Sequence, residues 1–164
     1  MGTLSLSSPS ARVKRGLDAD AIRRLLPHRA PFLLLDRVLE LDPPARAVGL
    51  KNVTVAEPWF AGHFPEHMVF PGVLLGECLA QLAGVVMMAE AANAAEAAAG
   101  TTMPSVGLLA EIKSMRFRKP VYPGDQVNLA VELLHHTSRV FEYRGIAKVA
   151  GIVAAQGKLV IAYR

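Results

Sequence analysis

The sequence predicts an α+β domain in which one long apolar helix is enclosed by an antiparallel sheet of about six strands. Three observations carry this expectation. Residues 72–92 are apolar nearly all round, with Gly76, Ala80 and Gly84 at four-residue steps, the pattern of a helix that is either enclosed by protein or crosses a membrane. After Pro104, four strand-like segments follow one another with turn-forming stretches between them. No repeat or interdomain linker divides the 164 residues, a length that suits one domain able to bury roughly 70% of its unfolded surface.

Taken in order, residues 1–17 are expected to be a disordered tail, and residues 18–164 a single domain. Met1 to Gly16 is Ser-rich, with Arg12, Lys14 and Arg15 and no acidic residue. That composition also suits a transit peptide, whereas a secretory signal would need an apolar centre that is missing. Asp18 caps a short helix over 19–26 that ends before Pro27. A loop covers 27–31. The apolar run Phe32–Leu41 reads as a buried strand, Asp42-Pro43-Pro44 stops it, and Ala45–Val55 returns antiparallel to it. A brief helical turn fits Glu57–Ala61. In the long helix, Glu77, Gln81 and Glu90 interrupt the roughly 20-residue apolar run that a membrane span needs, so enclosure is the expectation. Ala91–Gly100 is an Ala-rich extension. Strands are then expected over Ser105–Lys119, Val127–Thr137, Val140–Val149 and Ile152–Tyr163.

Composition narrows the function. The chain is 52% hydrophobic with a mean hydropathy of +0.30, and burial between subunits would accommodate that excess. A net charge of +4 suits an acidic partner. Nucleic acid is disfavoured, because basic and aromatic residues are not interleaved and no zinc-finger or helix-turn-helix signature is present. One cysteine, Cys78, excludes an intrachain disulfide and points to a reducing, cytoplasmic setting. It has no basic neighbour in sequence and reads as a small buried hydrophobe, not a nucleophile. His63 and His67 stand four apart, but Pro65 between them opposes the helical geometry of a zinc pair, so no metal is expected.

The chemistry concentrates between Trp59 and Gln81. Gly62-His63-Phe64-Pro65 places an imidazole in a stiffened loop, Pro71-Gly72-Val73 opens the long helix, and Glu77 follows in its second turn. A base and an acid thus come to one apolar place. The N–H of Gly72, at a helix start, has no intrahelical acceptor and can serve a developing oxyanion. A lone loop histidine is more often structural, and Glu77 would be an ordinary surface carboxylate were its neighbours Leu74, Leu75, Cys78 and Leu79 not apolar. Gln81 could hydrogen-bond within a site or cap a polar strip; the sequence leaves both open.

These blocks, with Leu26-Pro27-His28-Arg29, Pro31-Phe32-Leu33, Asp36-Arg37 and Phe117-Arg118-Lys119-Pro120-Val121-Tyr122-Pro123-Gly124-Asp125-Gln126 in the same order, resemble the FabZ-type 3-hydroxyacyl-acyl carrier protein dehydratases from about Ala19 onward. The resemblance implies the hot-dog fold, dimers joined sheet edge to sheet edge, and assembly as a trimer of dimers. It implies loss of water from a (3R)-3-hydroxyacyl thioester without a cofactor. His63 would take the C2 proton, Glu77 of the partner subunit would protonate the departing hydroxyl, and the Gly72 N–H would polarise the thioester carbonyl. Phe32, Phe70, Val73, Gln81 and Phe117 would line the acyl site, and Arg116, Arg118 and Lys119, with Arg23, Arg24, Arg29 and Arg37, would form a basic rim for the acidic carrier protein. Core packing and a solvated strand edge explain the same residues. The chain departs from the family pattern at Glu66 and Met68, where Gly and Pro are usual, and at Gly76, where a bulkier residue is usual; loop shape and tunnel volume depend on these. Fatty-acid elongation or a dedicated polyketide or polyene pathway fits this reading. The rivals are a dehydratase-isomerase, disfavoured because that branch carries Asp at the Glu77 position, a hot-dog thioesterase, and a silent subunit of a heteromeric dehydratase.

Overall fold

The computed structural model describes residues 14–97 and 107–163. Its elements are β1 (Lys14–Leu17), α1 (Ala19–Leu25), β2 (Arg37–Asp42), β3 (Arg46–Asn52), a 3-10 turn (Pro58–Ala61), α2 (Gly72–Ala97), β4 (Gly107–Phe117), β5 (Gln126–His136), β6 (Val140–Val149) and β7 (Ile152–Tyr163). The strands form one antiparallel sheet in the order β1-β2-β3-β5-β6-β7-β4, and α2 packs against β2 through β7.

Local chemistry sets the boundaries. The Asp18 carboxylate accepts the Ala21 N–H at 2.8 Å and caps α1, while Arg23 and Arg24 stand in its last turn, where cations oppose the negative end of the helix dipole. Between β6 and β7, Ala150 and Gly151 both adopt positive φ, 49° and 81°. This is the requirement of a two-residue turn whose twist matches that of the flanking strands.

Enclosure of α2 is what the structure shows. The segment is long and apolar enough to cross a membrane, yet 67% of that window is buried within the fold. Leu79, Leu82, Val85 and Val86 are fully buried, each leucine contributing about 2 kcal/mol by area removed from water. The helix rests directly on the sheet at Gly145, where a Cβ would come within 2.9 Å of the Leu79 side chain.

Two expectations need correction, and the reach of the long helix, which the sequence leaves open beyond Asn93, is resolved. Among the described residues the sheet has seven strands, because Lys14–Leu17, assigned to the tail from sequence, pairs with β2; residues 1–13 lie outside the described residues. The second strand starts at Arg37, not Phe32, and residues 32–35 are loop. The long helix runs on through the Ala-rich stretch to Ala97.

Tyr143 is fully buried in β6, with its hydroxyl toward the Pro44 carbonyl at 3.4 Å. Burial pushes its phenol well above the usual range, with Tyr163 and Glu90 adding to the shift. A phenol raised in the folded state stabilises the fold below the unfolded pKa of about 10 and loses that contribution as pH rises past it. The melting temperature should therefore fall above about pH 10, and Tyr143→Phe should flatten that fall in a thermal-denaturation series.

Candidate active site

Glu77 and Gln81 lie one turn apart near the start of α2 and face a cavity of about 550 Å³. Gln81 is 1% exposed, and its carboxamide is fully engaged. Its oxygen accepts the Leu34 N–H at 2.9 Å, while its nitrogen donates to the Phe32 carbonyl at 2.7 Å and to Glu77 Oε1 at 2.9 Å. One side chain thus fastens the loop 32–34 to the helix and holds one oxygen of Glu77. His28 reaches the same oxygen, Nε2 to Oε1 at 3.5 Å, and its ring stacks on Phe32. The buried His28 Nδ1 has no hydrogen-bond partner among the described residues. An acceptor left unpaired is a smaller loss than an unpaired N–H, which favours the tautomer with the proton on Nε2, toward Glu77.

His63 follows the 3-10 turn, and its N–H donates to the Trp59 carbonyl at 2.9 Å. Its Nδ1 lies 2.7 Å from the Val69 carbonyl oxygen. A carbonyl can only accept, so Nδ1 carries the proton and Nε2 of the neutral ring keeps a free lone pair. The ring stacks on Phe64 at 4.2 Å. His63 does not line the Glu77 cavity of its own chain.

Gly72 opens α2, and a Cβ there would meet the Phe117 ring at 3.1 Å, so the ring covers the helix start. Of the five residues expected around the acyl group, Phe32 and Gln81 line the cavity and three do not. Phe70 is buried and packs on Trp59 and Phe60; Val73 and Phe117 are exposed. The basic residues divide as well. Arg23, Arg24 and Arg29 line the cavity. Arg116 instead joins Arg144 and Lys158 along a separate groove, and the Arg118 and Lys119 backbones donate to Ala154. The Cys78 thiol is fully buried, and burial pushes it far above the usual thiol range.

A family model described as a FabA-like domain matches residues 26–164. The chain is 44% identical over 143 residues to the 3-hydroxyacyl-(acyl-carrier-protein) dehydratase FabZ of Geotalea uraniireducens, covering 87% of this chain and 94% of that protein. To the enzyme of the same name from Bacillus pumilus it is 45% identical over 143 residues, covering 87% and 93%. It belongs to the FabZ-type dehydratase family. Among solved structures, the dehydratase heterocomplex ApeI:P from Xenorhabdus doucetiae superposes with a TM-score of 0.70 at 20% identity, over 87% of this chain and 90% of that one, a likeness of fold. This FabZ-type chain carries the hot-dog architecture that its sequence predicted.

Two features of the site were not read from the sequence. His28 enters the sequence reading only as part of a matching block, yet its Nε2 lies 3.5 Å from Glu77 Oε1. Glu57 reads from sequence only as the start of a helical turn. Its carboxylate accepts the Thr54 N–H, and the signal was the Thr-x-x-Glu spacing of Thr54 and Glu57, half of a capping box.

Proposed function

We propose that this FabZ-type dehydratase removes water from a (3R)-3-hydroxyacyl group on acyl carrier protein, giving the trans-2-enoyl thioester in cytoplasmic fatty-acid elongation. The observation that carries the mechanism is the complementary polarity of the two groups. His63 has its proton committed to Val69 and a bare Nε2. Glu77 has Oε1 occupied by Gln81 and His28, leaving Oε2 to hold a transferable proton.

His63 Nε2 takes the proton from C2, and the electrons of that C–H bond form the C2–C3 double bond. The C3–O bond breaks as Glu77 delivers its proton to the hydroxyl, and water departs. Charge developing on the thioester oxygen is met by the Gly72 N–H at the positive end of α2. Returning the proton from His63 to Glu77 restores the enzyme, and the same steps run backward hydrate the enoyl group.

In the proposed dimer, His63 of one protomer stands opposite Glu77 of the partner subunit. β4 is an edge strand whose Leu108 and Ile112 side chains are exposed, and pairing of two such edges covers them and continues the sheet. Dimers would assemble further as a trimer of dimers. The acidic carrier would approach over the arginines that line the cavity, Arg23, Arg24 and Arg29. The domain from Asp18 onward, extended by β1, is the unit that carries the activity.

Purified chain incubated with 3-hydroxyacyl-carrier substrates of several lengths should form enoyl-carrier product with no second protein added. Release of free carrier thiol without enoyl product, or activity only after adding another dehydratase subunit, would overturn the reading.

A further inference from the structure

Lys51 interrupts the alternation of β3. It shares the inward face of that strand with Ala47 and Gly49, a place for an apolar side chain, and it is 8% exposed. A buried ammonium must be paired, and its partner is Glu57, 7% exposed, with Nζ to Oε1 at 3.0 Å. Both oxygens of that carboxylate are used. Oε1 also accepts the Thr54 N–H at 3.0 Å, and Oε2 accepts the indole N–H of Trp59 at 2.6 Å.

Trp59 holds both ends of the histidine loop. Its carbonyl accepts the N–H groups of Gly62 and His63 at 3.1 and 2.9 Å. Its ring meets Phe70 edge-on at 6.5 Å, beside the Val69 carbonyl that accepts from His63 Nδ1. The backbone and the ring acceptor of His63 are therefore both set by the position of Trp59, and that position is set by Glu57. None of the steps of water loss uses Lys51, Glu57 or Trp59.

We propose that the buried Lys51–Glu57 pair is a positioning device for His63, acting through the two-point grip of Glu57 on Thr54 and Trp59. This rests on the reading of His63 as the base. Glu57 presents one acceptor oxygen to each of two N–H donors, Oε1 to Thr54 and Oε2 to Trp59, and the Lys51 Nζ on Oε1 fixes the orientation of the group. A displacement of about 1 Å in a reacting group can cost on the order of a hundredfold in rate, so a small rotation of Trp59 is enough to matter.

Removing one partner alone leaves an unpaired buried charge and destabilises the fold for that reason. The test therefore uses Lys51→Met with Glu57→Gln, which removes both charges but sets an NH2 group against one of the two donors. A second variant, Trp59→Phe, keeps an aromatic ring beside Phe70 and deletes the indole donor. Each should fold, and kcat should fall by about tenfold to a hundredfold while KM for the hydroxyacyl-carrier substrate stays within about twofold. Wild-type kcat in either folded variant, or a rise in KM alone, would overturn the proposal. Should the double variant not fold, Trp59→Phe decides by the same criteria. His63→Ala is assayed alongside: normal turnover there removes the base assignment itself, whereas an inactive His63→Ala beside a fully active double variant removes only the positioning role.

Discussion

Glu77→Gln should leave a folded protein whose rate of water loss is about 10²–10⁴-fold lower, the usual contribution of a positioned general acid. The amide matches the carboxyl in size, and its oxygen can still accept from Gln81 Nε2, which lies 2.9 Å from Oε1 of the native residue. The tie between α2 and the loop 32–34 runs through Gln81 itself and does not depend on a charge at position 77. What the amide lacks is a proton acidic enough to leave with the hydroxyl. Steady-state assay with a 3-hydroxyacyl-carrier substrate should show kcat falling with KM nearly constant, because the lost interaction belongs to the transition state. An unchanged rate would remove Glu77 from the chemistry.

His63→Ala should be inactive to a similar extent, with assembly intact by size-exclusion chromatography. The substitution deletes Nε2 and also the Nδ1 contact to Val69, so His63→Asn, whose amide can still donate to that carbonyl, is the control for loop order. Both should be inactive if the lone pair is what matters. The two variants together also test the composite site. In a two-fold dimer built with His63 of one protomer opposite Glu77 of the partner subunit, a mixed dimer of His63→Ala and Glu77→Gln chains contains one doubly damaged site and one undamaged site. Random mixing then returns about a quarter of wild-type activity from two inactive proteins. No recovery in verified mixed dimers would mean that both groups act within a single chain.

The strands after Pro104 were legible because each is punctuated: Pro123-Gly124-Asp125 precedes β5 and Ala150-Gly151 turns β6 into β7. The long helix was legible because no other element accommodates so continuous an apolar run. The misreadings have physical causes. Phe32–Leu35 is as apolar as a strand, but its Leu34 N–H and Phe32 carbonyl are held by the carboxamide of Gln81, 47 and 49 residues away, and its Phe32 and Leu33 N–H groups donate to the Arg29 carbonyl. Periodicity cannot distinguish a ladder from a side-chain clasp. Lys14–Leu17 carries charges that suit a tail, and the same charges are tolerated on an edge strand. Phe70 has the character of a tunnel residue, but the loop holding His63 needs a core of its own, and Trp59, Phe60 and Phe70 supply it. Gln81 fits two readings in sequence because both of its backbone partners lie in a loop 47 and 49 residues away.

The open margin of β4 bears on how the protein is made. In the proposed edge-to-edge dimer, a newly synthesised copy would carry a greasy, hydrogen-bond-hungry border until another copy arrives, and maturation would be a second-order event whose speed depends on abundance. Scarcity would then penalise the cell twice, through fewer molecules and through a smaller fraction of them able to work.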